Sequence, residues 1–138
     1  MSLQRDIVET IASGASLFAT FRSTYSDAVD PADVGRFLTE QPELWLQRAA
    51  RFRASARAAS VTLVDVDYAE LVRDTPAALR LVYAAAGLDA PRDLRAMIDA
   101  YHAAAPRGAR GVHAYHPKDF GLDPAQLRER FAWLRRRG

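Results

Sequence analysis

The 138 residues are 49% hydrophobic and 26% charged, a balance that suits a folded globular chain and excludes a disordered or collagen-like one. No apolar run reaches the roughly 20 residues that a membrane helix needs, the N-terminus lacks the apolar core of a secretory signal, and there is no cysteine for a disulfide or a thiolate-bound metal. The formal net charge is only +2 and Lys118 is the sole lysine, so arginine carries the positive charge, and its planar fork suits phosphate and carboxylate. A cytoplasmic protein forming one domain over 1–138 is the expectation.

In chain order, Ile7, Ile11, Gly14, Phe18, Phe21 and Tyr25 recur at alternating spacings of four and three, which predicts a first helix over Asp6 to Tyr25 with these residues on one stripe. Asp30 before Pro31 reads as an N-cap with a first-turn proline, the start of a second helix. Pro42 falls inside that pattern and is expected to kink it or to begin a new helix, because it donates no hydrogen bond. Leu44 to Arg57 resumes the helical period, with Trp45, Ala49 and Phe52 on one face. From Val61 to Val66 a β-branched run predicts one buried strand. Its residues Leu63, Val64 and Val66 are expected to pack under helices around Leu79 and Ile98, with apolar surface added by Trp45 and Phe52.

Beyond the strand, Asp74, Thr75 and Pro76 announce a helix that Gly87 should end. Leu94, Met97, Ile98 and Tyr101 mark the next, which Pro106 should stop. Arg107 to Gly121 lacks periodicity and reads as a loop of about 15 residues, a length that is usually functional or disordered. Asp123 and Pro124 repeat the capping signal, and Leu127, Phe131 and Leu134 trace the closing helix. The basic stretch from Arg128 to Arg137 also carries Glu129, so it reads as a solvated helix face rather than a nucleic-acid surface. One strand among five or six helices leaves its backbone groups with nothing in the chain to pair them. A second copy, or other strands lying upstream, would have to supply the partner.

Several segments together carry a resemblance. Arg5-Asp6-Ile7-Val8-Glu9-Thr10-Ile11-Ala12-Ser13 sets a serine eight residues after an arginine. Tyr25-Ser26-Asp27 and Val29-Asp30-Pro31 follow, then Val64-Asp65-Val66-Asp67-Tyr68-Ala69-Glu70-Leu71, then Pro106-Arg107-Gly108-Ala109-Arg110-Gly111. In this order they resemble the C-terminal half of the sulfotransferases that use 3'-phosphoadenosine 5'-phosphosulfate, especially the bacterial branch. The fold this implies is a mostly helical α/β fragment, the C-terminal part of a P-loop-like three-layer sulfotransferase domain. The resemblance implies that Arg5 and Ser13 bind the 3'-phosphate of that co-substrate, joined by Arg107, Gly108 and Gly111. A guanidinium can take two phosphate oxygens while a hydroxyl takes a third, and glycines let backbone N–H groups approach an anion. Ile7 stands where the family usually has proline. Tyr68 and Glu70 are expected to fix the corner between strand and helix.

Other family parts have no counterpart in these residues. There is no Gly-x-x-x-x-Gly-Lys-Ser/Thr phosphate loop and no general base at a family position, so no catalytic residue is assigned. His102, His113 and His116 lack a third ligand at a recognised spacing, so no metal is expected. The resemblance therefore implies an incomplete sulfotransferase that is inactive alone, either a truncated gene or a piece of a longer protein with Met1-Ser2-Leu3 as an expression scar. Its partners would be the nucleotide and an unknown small-molecule acceptor, without nucleic acid or a membrane span. The alternative is a non-catalytic module that holds an anion or nucleotide with Arg5, Arg107 and Arg110, or that completes its sheet by oligomerising. Exposed strand edges predict association in either case.

Overall fold

A computed structural model describes residues 2–105 and 114–137 of the chain. They comprise β1 (Ser2–Gln4), α1 (Ile7–Ser23), α2 (Pro31–Arg53), β2 (Asp65–Asp67), α3 (Tyr68–Arg73), α4 (Thr75–Ala85), α5 (Leu94–Ala104) and α6 (Pro124–Arg130), with 3-10 turns at Ala56–Ser60, Pro117–Phe120 and Ala132–Arg137. The described residues of Met1–Arg5 and Ser55–His113 make one compact unit, and those of Asp6–Ala54 and Ala114–Gly138 the other. None of the described helices is long and apolar enough to cross a membrane.

The helical unit is built from α1, α2 and α6. Asp6 caps α1 by accepting from the Glu9 N–H at 3.0 Å, and Asp30 caps α2 by accepting from the Ala32 N–H at 2.9 Å. Its core joins Val8, Ile11, Ala12 and Ala15 of α1 to Val34 of α2, Phe120, Leu122, Leu127 and Phe131. The expected stripe on α1 is only partly right. Ile11 is buried, but Phe18, Phe21 and Tyr25 are exposed, and the helix buries the face of Val8, Ala12 and Ala15 instead. Small side chains let α1 come close to α2, and the larger aromatics are left at the margin. There Phe18 meets Phe37 with ring centroids 5.8 Å apart.

Helical structure in α2 runs without a break through Pro42, so no new helix begins there. Trp45, 60% exposed, and Phe52, 40% exposed, stay outside the buried core, against expectation. Both belong to the helical unit, whereas the strand they were expected to cover belongs to the other. Gly35 has a packing role. A Cβ there would run into the carbonyl oxygen of Phe120, so its absence admits the Pro117–Phe120 turn against α2. That turn also corrects the expected loop. His116 Nδ1 accepts from the Lys118 N–H at 3.2 Å, while Asp119 accepts from the His116 N–H at 2.9 Å, a reciprocal capping box. Phe120 is then buried, and Gly121 turns the chain in the left-handed region at φ +64°.

In the strand-bearing unit, β1 pairs in parallel with β2, with Ser2 opposite Asp65, Leu3 opposite Val66 and Gln4 opposite Asp67. The Ser2 N–H also donates to the Val64 carbonyl at 2.7 Å. This overturns the expectation of an unpaired strand, because Ser2 and Leu3 take part in the sheet. A three-residue strand gives no periodicity to detect, which is why the partner was not foreseen. The expected strand is also shorter than its β-branched run. Val66 is buried, Val64 half-buried just before the strand, and Leu63 is 40% exposed. Asp74 caps α4 at the Ala77 N–H, 3.1 Å away, and Gly87 ends the following turn at φ +69°. Leu94 is buried, and Leu79 and Ile98 are half-buried.

Candidate functional site

Both strands of the pair end at the same level, because Gln4 lies opposite Asp67. The next residues in each chain direction are Arg5 and Tyr68, and the Arg5 guanidinium carbon lies 4.9 Å from the centroid of the Tyr68 ring. At this distance the cation is attracted by the ring quadrupole. The guanidinium N–H groups lie in its own plane and form a fork suited to oxyanions. Arg5 is exposed, so an anion can reach it.

The corner that follows β2 is fixed by Asp67. Its Oδ1 accepts from the Ala69 N–H at 2.7 Å and from the Glu70 N–H at 3.1 Å, which caps α3. Glu70 pairs instead with Arg73 across one helical turn, at 3.6 Å between exposed side chains. The sequence reading gave this corner to Tyr68 and Glu70 and missed Asp67. An aspartate three residues before a glutamate, as in Asp67-Tyr68-Ala69-Glu70, is a capping signature that could have found it.

In the helical unit, Ser13 stands half-buried in the second turn of α1. The three remaining candidates, Arg107, Gly108 and Gly111, lie outside the described residues, as does His113. His116 is occupied as a cap, and His102 lies edge-on to Tyr101 with centroids 5.8 Å apart. No group of three possible metal ligands occurs among the described residues.

The sequence profile of the sulfotransferase family matches residues 2–92, which is most of the chain. This chain belongs to the sulfotransferase family. No curated protein and no solved structure matches it. The family match opens at β1 and takes in Arg5, Ser13, Asp67 and Tyr68, so two of the five candidate binding residues fall inside it. Arg107, Gly108 and Gly111 fall beyond its end. The family's chemistry is sulfuryl transfer from a nucleotide co-substrate to a small-molecule acceptor.

Proposed function

We propose that this chain provides the 3'-phosphate-binding part of a sulfotransferase that uses 3'-phosphoadenosine 5'-phosphosulfate. The observation that carries this reading is the order of features within the matched segment. A strand ends at Gln4, an exposed arginine follows with its guanidinium over an aromatic ring, Asp6 caps a helix, and Ser13 stands in that helix's second turn. Arg5 would take two oxygens of the 3'-phosphate and the Ser13 hydroxyl would donate to a third. Arg107, Gly108 and Gly111 would add charge and backbone donors from the basic-Gly-x-x-Gly segment. When bound, the co-substrate supplies the sulfuryl group. The chain's own residues supply recognition at its 3' end. With no phosphate loop of the Gly-Lys-Ser/Thr type and no assigned base, the 138 residues alone should bind the nucleotide and not turn it over.

Titration of adenosine 3',5'-bisphosphate and of AMP into the wild type and into Arg5→Ala tests the reading. The bisphosphate should bind more tightly, the difference should shrink as salt rises, and Arg5→Ala should abolish it. Each charge-assisted hydrogen bond to phosphate is worth about 1.5 to 3 kcal/mol, so the preference should be easily measured. Equal affinities in the wild type would end the proposal.

A second reading is favoured by the sheet itself. Among the described residues it has two strands, and a two-stranded parallel sheet is marginal alone. On that reading another chain adds strands to its edges. Mass measured over a range of concentrations decides the matter, and a monomer at every concentration excludes it.

A further inference from the structure

We propose that the outward face of α2 is a self-association surface, on which a second copy of this chain docks antiparallel about a two-fold axis near Leu44. It uses a helix face of the helical unit rather than the strand edges considered above, and it does not depend on the nucleotide reading.

The inward face of α2 is set by Val34, Gly35 and Thr39. A second stripe on the same helix, Phe37, Gln41, Leu44 and Arg48, recurs at spacings of four, three and four, with Trp45 beside it. Phe37 is 39% exposed, Leu44 36% and Trp45 60%, all within about two turns. Phe18 of α1, itself 42% exposed, lies against Phe37 and extends the patch sideways. Apolar surface gathered in this way marks a place where another surface docks.

Charge identifies the occupant. Glu40 and Arg48 stand four residues to either side of Leu44, both are exposed, and neither has an ion-pair partner among the described residues. Glu43, by contrast, is already held by Arg130 at 2.7 Å. A two-fold axis at Leu44 exchanges positions 40 and 48, so antiparallel docking brings Glu40 of each copy level with Arg48 of the other. Leu44 and Trp45 then meet the same pair across the axis. Parallel docking would instead oppose Glu40 to Glu40 and Arg48 to Arg48. The face is therefore complementary to itself in one orientation, as an isologous contact requires, and such a contact closes at two copies.

Sedimentation over a range of concentrations should show a monomer and a dimer in equilibrium without larger species, the dimer weakening as salt rises. Trp45→Ala should weaken it about tenfold or more, as loss of a central aromatic does. Arg48→Glu sets acid against acid and should weaken it by at least about tenfold. Adding Glu40→Arg to that variant restores opposite charges and should return the affinity to within about threefold of the wild type. All are surface changes, and a thermal transition like the wild type's, taken where the wild type is monomeric, shows that each variant folds. A monomer at every concentration would overturn the proposal and leave the face to a different partner. So would a dimer indifferent to Arg48→Glu, which would point to the strand edges, or a charge exchange that restores nothing.

Discussion

In the helical unit Ile11, Ala15, Val34 and Phe131 are at most 2% exposed and belong to one continuous cluster with Val8, Ala12, Phe120, Leu122 and Leu127. In the strand-bearing unit Val66 and Leu94 are buried at 4% each, while Leu81, Leu88, Met97 and Tyr101 remain 53 to 68% exposed. The first unit is held by close packing of side chains. The second leans more on backbone pairing and on carboxylate caps at Asp67 and Asp74, whose net contributions are individually modest. The candidate arginine therefore sits on the part of the molecule with less side-chain packing beneath it, and opening motions should start there.

The comparison can be broken most directly at Phe131. Truncation to alanine in a well-packed core should cost about 3 to 5 kcal/mol, measured by urea denaturation. A loss below about 1 kcal/mol would mean that the helical core is loose after all. Glycine-to-alanine changes sharpen the same point. At Gly35 the new methyl meets the Phe120 backbone, which cannot yield cheaply, and the cost should be about 1 to 3 kcal/mol. At Gly14 it meets the end of the Leu38 side chain at 3.2 Å, which can turn aside, so the gain in helix propensity, up to about 1 kcal/mol, should leave the protein as stable as the wild type or more so. Equal losses at the two positions would contradict this packing.

The smallest effect belongs to the other unit. Asp67→Ala should cost about 1 kcal/mol, and its signature is local. Hydrogen exchange should speed up at the amides of β2 and α3, while the α1 amides around Ile11 stay as protected as before. Faster exchange in both places would show that the two units open together.

Much of this was legible in the sequence where chemistry is local. Asp30, Asp74 and Asp123 each announced a helix start, and each carboxylate accepts from an N–H group in the first turn. The closing helix was legible as far as Arg130, with Leu127 and then Phe131 buried, but a 3-10 turn over Ala132–Arg137 replaces its expected continuation through Leu134. What escaped depended on contacts distant in sequence. The buried face of α1 is chosen by how closely α2 can approach, so alanines displaced the bulkier stripe. β1 is three residues long and becomes a strand only because Asp65–Asp67 lies beside it. In the candidate site, the spacing from Arg5 to Ser13 could be read directly, but the placement of Arg5 over Tyr68 follows from a strand register that no local pattern encodes.

That register also bears on the order in which the chain matures. The strand β1 is made about sixty residues before its partner, several seconds earlier at roughly 5 to 20 residues per second. During that interval α1 and α2 are completed and can dock through local contacts, while Ser2–Gln4 waits with its backbone unsatisfied. Closing a loop of that length costs entropy that contacts within one helix do not. Arg5 thus gains its ring neighbour only once Tyr68 has been made, and the helical core waits longer still for Phe120, Leu122, Leu127 and Phe131.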